Sequence, residues 1–150
     1  MDQKKLVYKL MEFSALEAYQ VKLYQSQIQA LEDPHIKHVY ERFVMREQEH
    51  RDFITKQLEN YNGGINIAAP AFTLAGIVSG KTLDILSLKD RYKLGIAVEQ
   101  KAIQMYHEFI EMTRHDPELS ELNKKLAYFM IDEEQHQFWF KEHLARLENV

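Results

Sequence analysis

The chain has 150 residues, enough for one domain with a full core and no covalent staples. It contains no cysteine, which excludes disulfides, thiolate metal sites, iron–sulfur clusters and a cysteine nucleophile, so any metal ligands must be His, Glu or Asp. A formal charge of −4 with scattered basic residues leaves no footprint for nucleic acid.

The N-terminus, Met1-Asp2-Gln3-Lys4-Lys5, runs into a charged amphipathic pattern without the apolar core of a signal peptide, so we expect an intracellular, cytoplasmic protein. From about residue 2 to 31, Leu6, Leu10, Phe13, Val21, Tyr24, Ile28 and Leu31 recur at three- and four-residue steps with no Gly or Pro, which predicts one long helix. Glu17 lies midway between Leu10 and Tyr24 and shares their inward face. Asp33-Pro34 then supplies an N-cap and a first-turn proline. A second helix to about residue 60 carries Ile36, Tyr40, Phe43, Glu47, His50, Ile54 and Leu58 inward, and the short link makes it an antiparallel neighbour of the first.

Asn62-Gly63-Gly64 is read as the stop of the second helix, and residues 61–80 as one long connection, with a short helical turn near Thr82–Leu86. Pro70, Gly63, Gly64, Gly76 and Gly80 make this stretch a poor transmembrane span, which leaves peripheral membrane contact as a lesser alternative. Ser87-Leu88-Lys89-Asp90 resembles a capping box and opens a third helix over about 88–114, with Leu88, Tyr92, Ile96, Glu99, Ile103, Tyr106 and Ile110 on one face. Asp116-Pro117 repeats the Asp-Pro device, and a fourth helix over about 117–148 places Leu122, Leu126, Phe129, Glu133, His136, Phe140, Leu144 and Leu147 inward.

The halves repeat one another. Glu17 and Tyr24 answer Glu99 and Tyr106, and Glu47-x-x-His50 answers Glu133-x-x-His136, where three-residue spacing projects both side chains from one face of a helix. The expectation is an all-α four-helix bundle in a single domain: two antiparallel helical hairpins joined by a long crossover. Each hairpin offers one Glu on its first helix and a Glu-x-x-His on its second. Four inward carboxylates would repel one another or take up protons, whereas two divalent cations balance them. The predicted ligands are therefore Glu17, Glu47, His50, Glu99, Glu133 and His136, with Glu47 and Glu133 bridging and Glu17 and Glu99 terminal. Carboxylates with only two imidazoles suit iron, with manganese or a mixed pair as alternatives, and do not suit zinc. Asp132 is placed to hold the distal nitrogen of His50. Tyr24 and Tyr106 read first as core aromatics and second as residues that hydrogen-bond a ligand or pass electrons. Trp139 reads as packing on the flank of the core. His35, His38, His107, His115 and His143 read as surface or helix-end residues, and Glu49 and Glu134 as pointing away from the metals.

This constellation resembles the ferritin-like superfamily of di-iron carboxylate proteins over nearly the whole chain. The phrasing Glu99-Gln100-Lys101-Ala102-Ile103 and Glu133-Glu134-Gln135-His136 is similar to its rubrerythrin branch. That resemblance implies two irons and reaction with dioxygen or hydrogen peroxide. The chain departs from the branch at Ala102, where a second Glu is usual, and in lacking a Cys-ligated rubredoxin domain, so electrons must come from an external donor. A second resemblance, to demethoxyubiquinone hydroxylases, lies in Glu17 followed by Tyr24 and Gln27, the glycine-bearing crossover through Gly76 and Gly80, and Ala97-Val98-Glu99 with Tyr106 downstream. It implies a monooxygenase acting on a quinol-type substrate. The chain departs from that family at Lys89, Asp90, Arg91 and Lys93, and in the four or so turns before Glu17. The leading expectation is a di-iron oxidoreductase of the first kind; the alternatives are the hydroxylase and an iron-handling protein without turnover. The apolar crossover near Ile65–Gly80 is the expected contact of a homodimer or higher homo-oligomer; a substrate-sized apolar channel reaching the metals there would favour the hydroxylase, and a site sealed by side chains would favour peroxide reduction.

Overall fold

Capping residues signal three of the four helix starts, and the computed structural model, which describes residues 1–62 and 86–149, shows how each is used and adds a fourth cap at Asp2. Helix α1 spans Gln3–Ile28, with the Asp2 carboxylate accepting from the Lys5 amide at 3.3 Å. Helix α2 spans Pro34–Asn62. Here the Asp33 carboxylate accepts from the amides of His35 (2.7 Å) and Ile36 (3.2 Å), satisfying donors that the first turn leaves open. Gln3 donates to the Tyr61 carbonyl at 2.8 Å, so the start of α1 meets the end of α2 and the pair runs antiparallel.

The first helix stops at Ile28, not near residue 31. The cause lies downstream. Asp33 must be extended to cap α2, and a residue preceding proline is driven out of the helical region. The chain therefore leaves the helix through tightened turns, with Ala30 bonded to Gln27 and Leu31 to Ile28.

Helix α3 spans Leu88–Thr113. The Ser87 hydroxyl oxygen accepts from the Asp90 amide at 3.1 Å, and the hydroxyl donates to the Asp90 carboxylate at 2.8 Å. Asp-Pro acts differently the second time. The Asp116 carboxylate accepts from the Glu118 amide, and Leu119 bonds back to the Asp116 carbonyl at 3.2 Å, closing a 3-10 turn over Pro117–Leu119 before α4 begins at Ser120 and runs to Glu148. The tighter turn swings Leu119 into the core, where it is buried. At the other end of this hairpin Lys89 pairs with Glu148 at 2.8 Å, while Gln137 donates to the Ile96 carbonyl and the Gln100 side chain, so α3 and α4 are also antiparallel.

The chain divides into two compact units, Met1–Thr73 and Leu74–Val150, each built on one hairpin. In the first the core is Leu6, Leu10, Phe13, Leu16, Leu23 and Tyr24 against Tyr40, Phe43, Val44 and Ile54; in the second, Tyr92, Val98, Tyr106 and Phe109 against Leu122, Leu126, Phe129 and Phe140. On α3 the buried face centres on Gly95, Val98, Ala102 and Phe109, and Ile96, Ile103 and Ile110 lie on its half-buried margin. Leu147, expected inward, is exposed in the last turn of α4. Among the described residues no helix is long and apolar enough to cross a membrane. Helix α2 runs through residues 61 and 62, which were expected in the connection; the stop at Gly63-Gly64, the rest of the long connection, residues 82–85 of the expected short turn and the Gly76/Gly80 pattern lie outside the described residues.

Gly95 makes one close approach possible. A Cβ there would meet the Phe140 ring at 2.6 Å, and that ring is already fixed between Tyr92 (6.1 Å between centroids) and Trp139 (5.4 Å). Replacing Gly by Ala gains about 1 kcal/mol of helix propensity, whereas overpacking a core costs about 1–3 kcal/mol. With Phe140 unable to retreat, the overpacking term wins. Gly95→Ala is expected to lower stability by up to about 2 kcal/mol in urea denaturation; an unchanged or higher midpoint would show that the ring moves aside.

Candidate metal centre

Helical periodicity places the chemistry in each hairpin. On α1, Leu10, Phe13, Glu17, Gln20, Tyr24 and Gln27 share the inward face, and Glu17 is buried among apolar neighbours. On α2, Glu47 and His50 lie one turn apart on the buried face. The Nδ1 atom of His50 stands 3.2 Å from the Glu47 carboxylate and 3.6 Å from that of Glu17. One ligand atom from each of Glu17, Glu47 and His50 lies within 4.8 Å of the others.

The second hairpin reproduces this set. Glu99 on α3 is buried, and Glu133 and His136 are buried one turn apart on α4. His136 Nδ1 stands 3.5 Å from the Glu133 carboxylate and 3.7 Å from that of Glu99, and the three residues again bring ligand atoms within 4.8 Å. In both hairpins the same ring nitrogen, Nδ1, faces the two carboxylates.

These separations favour a shared cation over direct pairing. A charge-assisted hydrogen bond from imidazole to carboxylate closes to about 2.7–2.9 Å, and three of the four distances exceed 3.4 Å. Donor atoms held about 2.0–2.2 Å from one divalent ion stand about 3–4 Å from one another. The distances of 3.2–3.7 Å lie in that range. The carboxylates are wholly buried, and each hairpin carries two of them against a single imidazole, so even a protonated ring leaves negative charge in the core. The donor set fits a hard divalent metal.

The other predicted residues fall as follows. Tyr24 is buried against Tyr40 (5.8 Å, edge-on) and Phe43 (5.9 Å), and Tyr106 against Phe129 (6.2 Å), the packing expected of core aromatics. Asp132 is half-buried beside Glu133. Trp139 flanks the core, half-buried as expected, but its ring stacks on His143 at 3.8 Å. His143 is thereby drawn into packing instead of standing at the surface, its Nδ1 being 2.8 Å from the Trp139 carbonyl. His35, His38, His107 and His115 are exposed, as are Glu49 and Glu134. Two buried amides on α1 escaped the reading of inward residues, Gln20 and Gln27. Gln20 is three residues from Glu17 and Gln27 ten, a spacing that marks the same stripe. Neither polar atom of the Gln27 amide meets a hydrogen-bonding partner among the described residues.

The comparisons with known proteins bear on the whole arrangement. No curated protein matches the sequence. Among solved structures, a ferritin-like diiron-carboxylate protein of Bacillus anthracis superposes with a TM-score of 0.77 at 18% identity, covering 96% of this chain and 99% of that one. The likeness shows the ferritin-like four-helix fold. The family model described as ubiquinone biosynthesis protein COQ7 matches residues 14–148, a span that takes in all six predicted ligands. With the second of the two resemblances read from the sequence thus matched from before Glu17 to the end of α4, the chain belongs to the COQ7 family.

Proposed function

We propose that the two half-sites together hold two iron ions within one domain, and that the protein is a dioxygen-using hydroxylase of a quinol-type substrate. The observation that carries this reading is the duplicated buried set of two carboxylates and an imidazole, in a chain whose family is named for ubiquinone biosynthesis. Glu17, Glu47, Glu99 and Glu133 supply four negative charges, the number that two divalent ions neutralise. His50 and His136 supply one neutral donor to each ion through Nδ1. When bound, the metal pair supplies redox chemistry with dioxygen that no side chain of this protein can perform.

The protein's own part is to hold, balance and exclude. Helices fix each Glu-x-x-His pair, and the aromatic packing of Tyr24, Tyr40 and Phe43 and of Tyr106 and Phe129 fixes the helices. Burial keeps bulk water from the carboxylates and strengthens their attraction for cations. In the net reaction one oxygen atom of dioxygen enters a substrate C–H bond and the other leaves as water, which requires two electrons and two protons from an external donor. Family membership moves this hydroxylase ahead of the peroxide-reducing alternative, and Ala102, fully buried one turn after Glu99, leaves no fifth carboxylate of the rubrerythrin kind at that position.

Protein purified under native conditions is expected to carry about two irons per chain. The double variant Glu47→Ala/Glu133→Ala should lose them yet remain helical by circular dichroism, because removing two buried carboxylates relieves repulsion in the metal-free state. Glu49→Ala, altered at an exposed neighbour, should keep them. A full complement of manganese would redirect the metal assignment, and one ion or none would end the dinuclear reading.

The reaction itself is checked with labelled dioxygen. Reduced, iron-loaded protein given a demethoxyquinol and a chemical reductant should yield a product carrying one atom of the label. Uptake of dioxygen without labelled organic product would leave iron handling or peroxide chemistry in its place.

A further inference from the structure

We infer that Arg91 holds the phosphoryl group of a ligand at the first turn of α3, a site separate from the six proposed metal ligands. Arg91 is only 5% exposed. Its Nε donates to the Leu86 carbonyl at 3.0 Å, which folds the side chain back toward the start of α3, and its Nη1 has no hydrogen-bond partner among the described residues. A guanidinium does not shed its proton to ease burial, so a buried one calls for an anion.

Among the described residues, the carboxylates near it on this hairpin are otherwise engaged. Asp90 is bonded to the Ser87 hydroxyl and Glu148 to Lys89. Glu99 lies on the same inward stripe eight residues on, about 12 Å along the helix, beyond the reach of an ion pair. Among the described residues no carboxylate is paired with Arg91. Lys93, half a turn away and exposed, adds positive charge.

The helix start supplies further donors. Ser87 takes the Asp90 amide on its side chain and the Arg91 amide on its carbonyl. The amides of Leu88 and Lys89 belong to the first turn, which has no intrahelical acceptor for them, and they lie at the positive end of the helix dipole. A guanidinium fork with two backbone amides offers more donors than the two oxygens of a carboxylate accept, and matches the three oxygens of a terminal phosphoryl group. A soluble phosphomonoester and a phospholipid headgroup both present that chemistry.

The test uses the full-length, metal-loaded protein beside Arg91→Met and Arg91→Lys, with glycerol 3-phosphate as the soluble probe and phosphatidylcholine vesicles with and without phosphatidic acid as the lipid probe. Phosphate taken up by the metals appears equally in wild type and variants and so cancels. Wild type is expected to bind one probe saturably by calorimetry or sedimentation and to melt at a higher temperature with it, while Arg91→Met binds at least about tenfold more weakly and Arg91→Lys falls between. Tighter binding of glycerol 3-phosphate identifies a soluble ester as the source; capture by phosphatidic acid vesicles with only weak binding of the ester identifies a headgroup. Should Arg91→Met fail to fold, Arg91→Lys decides, since it keeps the charge and loses the fork. Binding of neither probe by wild type, or undiminished binding by the deciding variant, overturns the proposal without touching the metal assignment.

Discussion

Burying carboxylates is the constraint on which the rest of this structure depends. Glu17 and Glu47 in one hairpin, and Glu99 and Glu133 in the other, are all fully buried, although each ionised group costs several kcal/mol to take out of water. Only long, regular helices can hold such groups inward at fixed spacing, because a helix satisfies its own backbone and leaves the side chains free to converge. The aromatic rings around them have the complementary role. Tyr24, Tyr40 and Phe43 interlock across α1 and α2, and Tyr92, Trp139 and Phe140 across α3 and α4, so that the apolar packing of each hairpin offsets the charge it encloses.

The two hairpins solve one problem with different joints. Thirteen residues separate the first residue of the second helix from the ligand Glu in both, from Pro34 to Glu47 and from Ser120 to Glu133. What differs is the preceding helix. Eleven residues follow Glu17 to the end of α1 at Ile28, and fourteen follow Glu99 to the end of α3 at Thr113. The longer α3 is secured at its end, where the Thr113 hydroxyl bonds to the Phe109 carbonyl and the Asn123 amide donates to the Thr113 carbonyl. The insertion is thus close to one turn, which preserves the inward direction of Glu99.

Helix positions and the burial of the six residues proposed as ligands were legible because helical period is a local property: Glu17 keeps step with Leu10 and Tyr24, and Glu133 with Phe129 and Phe140, whatever the remainder of the chain does. The features that were not legible depend on contacts distant in sequence or on competition between neighbours. The end of α1 is set by the needs of Asp33 and Pro34, and the 3-10 turn before α4 by the burial of Leu119, although both sites carry the same Asp-Pro signal. The stacking of His143, near the end of α4, on Trp139 is a ring contact that spacing alone does not specify, and Gln20 carries no apolar marker of its inward position. The branch of the superfamily was harder still. Glu133-Glu134-Gln135-His136 is a short phrase dominated by ligand geometry, which related enzymes of different reactivity share, so the rubrerythrin likeness it suggested yielded to a match spread over residues 14–148.

If the donor sets are alike, any difference between the two halves must come from their surroundings. Each offers two carboxylates and one Nδ1 at similar separations. The first hairpin adds the buried amides of Gln20 and Gln27, neutral groups able to donate and accept. The second adds a buried guanidinium, Arg91, together with Gln137, whose amide is tied to Ile96, Gln100 and Lys141. A neutral, adaptable polar lining on one side and a fixed positive charge on the other place unlike fields along the two inward stripes.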